Sequence, residues 1–226
     1  MKTVCTVYKT YKEWEEEGRK DVLELIVKNE EEINTSDDFW YECTISDWAY
    51  KLQELGFDVI EEEYKTKKVY NKDLSQWEDR RYLATSYQIA FRGFCSQGDG
   101  ASFTGWVEPS KWIEKNSPVK YARIKKLIDS GAIDVYKFKI TRTGRYVHEK
   151  STDIQYEWNN LWSRNHPNIE TLIYELEADM TEQMVDLSKQ IYSDLENEYE
   201  YLQSEEAIVN MIQQNDYEYD EFGNKG

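Results

Sequence analysis

The sequence predicts an α+β protein, an antiparallel β-sheet covered by helices, with a long acidic amphipathic helix near the C-terminus. Three observations carry that expectation. Strand-like alternation falls within the first 166 residues, in an order that lacks the strict strand–helix alternation of a parallel fold. Apolar residues recur at three- and four-residue steps from Ile169 to Leu202. Aromatic residues reach 15% of the 226, with 8 Trp and 18 Tyr, although hydrophobic residues make up only 39%. A disordered acidic chain lacks such rings, so a ring-rich core is expected. The expected organisation is a sheet domain over 1–166 and an acidic helical arm over 167–226, packed on that domain or extending from it.

Taken in order, residues 3–11 alternate as a strand, with Val4, Thr6 and Tyr8 on one side. From 11 to about 33 the pattern turns helical, with Trp14, Val22, Leu25, Ile26 and Ile33 on one stripe. Thr35 and Ser36 offer N-caps to a second helix whose apolar face includes Phe39, Trp40, Cys43, Trp48, Leu52 and Leu55, and Gly56 ends it. Residues 57–64 read as a strand, and the polar stretch 65–81 as a loop or irregular hairpin. Residues 83–95 form the clearest strand, 96–100 are turn chemistry, and 101–107 return as the partner strand. A short helix over 118–130 stops at Gly131, and 132–141 with 145–158 form a hairpin around Thr143-Gly144. Pro167 opens the long helix, about 50 Å at 1.5 Å per residue. Ser204 caps a shorter helix to about Gln214, and 217–222 is an extended or disordered tail.

Charge excludes several function classes. The chain carries 45 acidic and 28 basic side chains, a net of -17, with a pI near 4.6. Unaided binding to DNA, RNA or an anionic membrane is therefore not expected, since phosphate affinity comes mainly from Lys and Arg. Residues 167–226 hold 16 acidic side chains and two basic ones, Lys189 and Lys225. Ten carboxylates and one lysine between Glu170 and Glu200 spread over about 46 Å of helix. That is one net charge per about 5 Å, against about 1.7 Å for duplex DNA, too dilute for this helix alone to imitate a duplex. Two readings stand: a solvated face, or a docking surface for a basic protein partner. For the second, the candidate residues are Glu177, Asp186, Glu196, Glu200, Glu205 and Glu206. Cys5, Cys43 and Cys95 form no CxxC and read as reduced, half-buried core thiols. No run of about 18 apolar residues occurs and the N-terminus has no signal-peptide pattern, so a cytoplasmic protein without a membrane span is expected.

The chemistry-bearing residue types are few. His148 and His166 are the two histidines, which leaves no His-rich metal site and no ready nucleophile–histidine pair, and no phosphate-loop motif occurs. The residues point away from an enzyme, and no cofactor or metal is implied. The densest constellation is 93–105. It reads either as a tight hairpin whose Asp99 bonds the turn amides or as a polar cup. In the cup, Gln97, Asp99 and Ser102 supply hydrogen bonds, Phe94, Phe103 and Trp106 supply walls, and Arg145 and His148 join from a neighbouring strand.

The same segments carry a family resemblance. Gly93-Phe94 followed by SQGDGASF and Gly105, then Arg145-Tyr146-Val147-His148-Glu149, then the YEYL-SEEA and YEYDEFG endings over 198–207 and 217–223, resemble a group of small bacteriophage and prophage proteins. Members of that group are often labelled antitoxins of toxin–antitoxin stability systems. The resemblance spans nearly the whole chain, apart from 66–81, and implies phage origin, residence in the host bacterial cytoplasm and an accessory role toward the host. The leading expectation is therefore an interaction protein that binds and neutralises a host bacterial protein with a basic surface, as an anti-defence or antitoxin-like inhibitor. The alternative is a protein that sequesters a small nucleotide-like ligand with the 93–105 hairpin and His148. An enzyme acting through Asp99 and His148 ranks third. Whether the long helix packs on its own sheet or pairs with another copy in a homo-oligomer is open at the level of sequence.

Overall fold

The computed structural model describes residues 6–34, 40–71, 76–96, 98–135, 137–158 and 167–226. The elements are β1 (Lys9–Thr10), α1 (Tyr11–Glu16), α2 (Lys20–Asn34), α3 (Glu42–Glu54), β2 (Phe57–Asp58), β3 (Ile60–Asn71), β4 (Gln76–Tyr87), β5 (Ile89–Arg92), β6 (Gly100–Phe103) and β7 (Gly105–Val107). They continue with α4 (Pro109–Asn116), α5 (Ala122–Asp129), β8 (Phe138–Arg142), a 3-10 turn at Glu149–Ser151, β9 (Thr152–Gln155), α6 (Pro167–Leu202), α7 (Glu205–Gln214) and β10 (Glu218–Tyr219). Every strand pairing among the described residues is antiparallel, so the α+β class holds. The chain divides into two compact units, 1–42 with 195–226, and 43–194. The division does not follow 166/167: residues 167–194 pack within the second unit and 195–226 with the N-terminal residues.

The first unit is built on a small ring-and-aliphatic core. Thr10 caps α1 through a reciprocal pair, its hydroxyl accepting from the Glu13 amide while its own amide donates to the Glu13 carboxylate. Gly18, at φ +69, breaks the single helix expected over 11–33 into α1 and α2. Trp14, Val22 and Ile26 pack with Ile208 and Ile212 of α7 and with Tyr219. Tyr219 is fully buried, donates its hydroxyl proton to Glu30 at 2.7 Å and accepts the Trp14 indole N–H on its carbonyl at 3.0 Å. The C-terminal tail is thus ordered: β10 pairs with β1 in the register Lys9↔Tyr219, and the Asp220 carboxylate accepts from the amides of Phe222 and Asn224. Ser204 caps α7 as expected, accepting from the Ala207 amide at 3.2 Å. The caps expected at Thr35 and Ser36 lie outside the described residues, as does Cys5.

In the second unit, α6 supplies the apolar stripe that its spacing predicts. Ile169, Ile173, Leu176, Met180, Met184, Leu187 and Ile191 are all buried. Its flanks supply hydrogen-bond acceptors for the aromatic core. The indole N–H groups of Trp48, Trp112 and Trp158 donate to Asp194 (3.0 Å), Gln183 (2.6 Å) and Glu177 (2.6 Å). Gln183 in turn donates to Asn116, which donates to the carbonyls of Leu55 and Trp112, so one side chain joins α6, α4 and the end of α3. Gly56 ends α3 as expected: its φ is +97, and a Cβ there would lie 2.9 Å from the Trp112 Cα.

The sheet of this unit has the order β2-β7-β8-β9, and two further hairpins, β3–β4 and β5–β6, leave it at a common corner. There the Gln88 amide donates to Val59 and the Thr104 amide to Gln88, both at 2.8 Å. Three sequence expectations change. Within the stretch 65–81, residues 65–71 and 76–81 belong to a regular ribbon, β3–β4, paired from Ile60↔Tyr87 to Asn71↔Gln76, because cross-strand aromatic and cation contacts replace the missing alternation of a core-facing strand. Residues 109–116 form a helix with Pro at its start, and α5 opens at Ala122 instead of 118. Cys43 and Cys95 are exposed, on the outer face of α3 and in a surface loop, and are not core thiols.

Replacing Gln183 by Leu leaves the buried Trp112 N–H without its acceptor and should lower unfolding free energy by about 1–3 kcal/mol. In urea titrations the pair Trp112→Phe and Gln183→Leu should be clearly less than additive, and additivity would remove this bond from the account of stability.

Candidate functional site

The 93–105 segment folds around Asp99. Its carboxylate accepts from the amides of Cys95 (3.0 Å) and Ser96 (2.6 Å) and from the Ser96 hydroxyl (2.7 Å). The Ser96 hydroxyl, then the two amides, hold the Asp99 carboxyl below its ordinary value. The two glycines that flank Asp99 are sites of close approach. A Cβ at Gly98 would lie 2.5 Å from the Tyr146 ring, and one at Gly100 would lie 2.6 Å from the His148 Cβ. The loop motif and the Arg145–His148 motif are therefore brought together, with Tyr146 and His148 laid over the glycines and Arg145 5.1 Å above the Tyr146 ring.

What they build is a packed knot. His148 does not stand on a strand: it caps the 3-10 turn at Glu149–Ser151, its Nδ1 accepting from the Lys150 amide at 3.1 Å. Phe103 is fully buried against Phe57 and belongs to the core. Ser102 is fully buried too, and its hydroxyl has no hydrogen-bond partner among the described residues, like that of Thr152 at the start of β9. Gln97 lies outside the described residues. Trp106 lines a different place, an open cleft of about 410 Å³ at the strand corner, with Asp58, Ile60, Glu61, Gln88, Gly105 and Lys137. Its polar groups are taken up within the chain, Lys137 by Asp58 and Gln88 by Glu61, both at 2.8 Å.

The candidate carboxylates divide into two kinds. Glu177 is half-buried and bonded to Trp158, and burial pushes its carboxyl above the ordinary range. Asp186 is exposed, 3.1 Å from Lys189. Glu196 is half-buried, whereas Glu200, Glu205 and Glu206 are exposed, the last two in the first turn of α7, where the helix dipole favours negative charge. Asp179, which sequence reasoning passed over, accepts from Lys120 (2.7 Å) and from the Tyr121 hydroxyl (2.6 Å). Burial opposes its ionisation, but those two bonds outweigh it and hold the carboxyl below its ordinary value. Burial and the bond to Asp179 push Tyr121 up to about 12.

Grouped by unit, the charge is lopsided. The first unit holds 21 acidic and 7 basic side chains, a net of -14, and the second holds 24 and 21, a net of -3. Within the first unit a cleft of about 350 Å³ is lined by Tyr11, Lys12, Glu15, Ile212, Asp216 and Tyr217, among others. Burial first, then the fields of Glu205 and Glu15, raise the Tyr11 hydroxyl above its ordinary value. Among the described residues no group of three or more His, Cys, Asp or Glu is placed to hold a metal ion, and no helix is long and apolar enough to cross a membrane.

A family model described as a domain of unknown function, DUF8835, matches residues 40–205. The chain belongs to that family. The matched span contains the whole of the second unit, while most of the first unit, including Tyr11, Glu15 and the 206–226 tail, lies outside it. No curated protein and no solved structure matches the chain.

Two outcomes are expected. Ser102→Ala removes a buried hydroxyl that lacks a partner among the described residues, so denaturation should show unchanged stability or a gain of up to about 1 kcal/mol. A loss would mean that the hydroxyl is bonded in solution. Asp179 has a folded pKa below its unfolded value, so its contribution is complete above the ordinary carboxylate range and is lost as pH falls through the folded value. Melting temperature measured against pH should therefore fall less steeply on the acid side for Asp179→Asn than for the native chain. Glu177, shifted the other way, contributes with opposite sign.

Proposed function

We propose that this protein is a phage-encoded binding protein that docks its acidic first unit on a basic surface of a host bacterial protein and neutralises that protein by occupying the surface. The observation that carries the reading is the net charge of -14 on that unit, against -3 on the larger second unit. Such a field raises the encounter rate with a cationic surface and disfavours nucleic acid. Glu15 and Asp216 edge the cleft between Tyr11 and Tyr217, where a Lys or Arg side chain of the partner would take the place of the chain's own cations, Lys12 in the lining and Lys225 over the Tyr217 ring. Glu200, Glu205 and Glu206 extend the acidic surface. The resemblance to phage proteins labelled as antitoxins supports the inhibitory role.

The test is affinity capture from host lysate with the tagged full chain and with a variant carrying Glu15→Gln, Glu205→Gln, Glu206→Gln and Asp216→Asn. The native chain should capture a basic protein whose recovery falls about tenfold or more in the variant, and similarly between about 0.05 and 0.5 M salt. Equal recovery by both chains, or recovery indifferent to salt, overturns the reading.

A further inference from the structure

The β3–β4 ribbon has no core of its own. Twelve residue pairs run from Ile60↔Tyr87 to Asn71↔Gln76 in a sheet of two strands, so the outer edge of each strand has no ladder partner among the described residues. Residues opposite one another share a face. Tyr64 with Leu83 and Tyr70 with Trp77 therefore lie on one face, and Lys65 with Tyr82 and Lys67 with Arg80 on the other. Large side chains on the ribbon stand in water: Tyr64 is 63% exposed, Trp77 66% and Leu83 45%. A two-stranded ribbon is marginal in water, and an open edge of this length is a template for a further strand.

The charge order along β3 says which strand fits. Read outward from Tyr64, Glu63 mirrors Lys65 and Glu61 mirrors Lys67, with Glu62 against Thr66. The segment Glu61–Lys67 is thus a charge palindrome of opposite signs about Tyr64. We propose that two copies of this chain pair edge to edge and antiparallel through β3, with Tyr64 on the two-fold axis, to form a four-stranded sheet. In that register Glu63 faces Lys65 of the second copy and Glu61, which within its own chain accepts from Gln88 on one oxygen, faces Lys67, twice each by symmetry, and the two Tyr64 rings meet at the centre. All four ionic pairs fall on one face, because residues 61, 63, 65 and 67 share a side of the strand. Moving the axis to Thr66 would set Lys65 against Lys67, and moving it to Lys65 would keep Glu63 against Lys67 and Glu62 against Lys68 but set the two Lys65 side chains against each other, so the Tyr64 axis is favoured as the one with four opposite pairs and no like-charge contact. Within one copy Lys65 stands 3.8 Å from Glu63 with both side chains more than half exposed, a contact of little worth in water, and both charges stay open to a partner. This surface lies in the second unit and is independent of the acidic first unit.

The test uses charge exchange on the full chain. Variant one carries Glu61→Lys and Glu63→Lys, and variant two carries Lys65→Glu and Lys67→Glu. By sedimentation over about 1–100 µM the native chain should show a concentration-dependent dimer. Each variant alone, folded by circular dichroism, should dimerise about a hundredfold more weakly or not at all, since four attractive pairs become repulsive. An equimolar mixture should restore the dimer, because the Lys side chains of one then face the Glu side chains of the other. A monomeric native chain overturns the proposal. So does a mixture that stays monomeric while both variants are folded. Tighter self-association of the more basic variant one would instead place the ribbon on the acidic unit of another copy, and association of the ribbon with single-stranded nucleic acid without dimerisation would name a different occupant. Either result also overturns the β3 pairing.

Discussion

The indole N–H groups of Trp48, Trp112 and Trp158 and the hydroxyls of Tyr121 and Tyr156 all end on α6, on Asp194, Gln183, Glu177, Asp179 and the Glu177 carbonyl. A core made of Trp and Tyr differs from an aliphatic one in a single respect: each ring brings a donor that costs free energy if it is buried unpaired. The second unit meets that constraint with one helix, whose apolar stripe fills the core and whose flanks accept the ring protons. The sheet, α3, α4 and α5 are placed by where those rings have to reach.

The same constraint explains part of the composition. A chain with 39% hydrophobic residues can still bury a core when 15% of its residues are rings with large apolar area. It also separates the carboxylates of α6 by role. Glu177, Asp179 and Asp194 accept from buried or half-buried donors and are structural. Glu175, Glu182 and Glu200 are exposed and contribute field. The acidity that looks continuous along the sequence from 167 onward is therefore divided, and its excess lies with the unit that joins 1–42 to 195–226.

Tight backbone approaches do for the loops what the rings do for the core. Gly98 and Gly100 let the Tyr146–His148 segment close over the Asp99 turn, so two motifs that stand out in the sequence as chemistry are absorbed into one knot. The β3–β4 ribbon is the opposite case, a regular element with aromatic side chains left in water. Large rings that stay exposed beyond their cross-strand contacts mark a surface for contact with something else.

Periodicity was sufficient for α6, α7 and their boundaries at Pro167 and Ser204, because a buried helical stripe and a capping hydroxyl are local patterns that the final packing reinforces. The end of α3 at Gly56 was legible for the same reason. The ribbon was not, since its residues face water on both sides and its pairing depends on contacts such as Arg81 over Tyr64, seventeen positions apart in sequence. Nor were the fates of the candidate site residues. Of the two roles the sequence left open for Asp99, its carboxylate takes the turn-amide one, while Phe103 enters the core, Trp106 a separate cleft and His148 a capping role. The sequence by itself determined the fold class, the long helix, the acidic balance and the aromatic core, all of which follow from composition and short-range period. The tertiary structure alone decided which carboxylates are spent on ring protons and which face solvent, and that the net charge gathers in a unit assembled from two distant stretches of chain. Those outcomes depend on long-range partners, which no local pattern encodes.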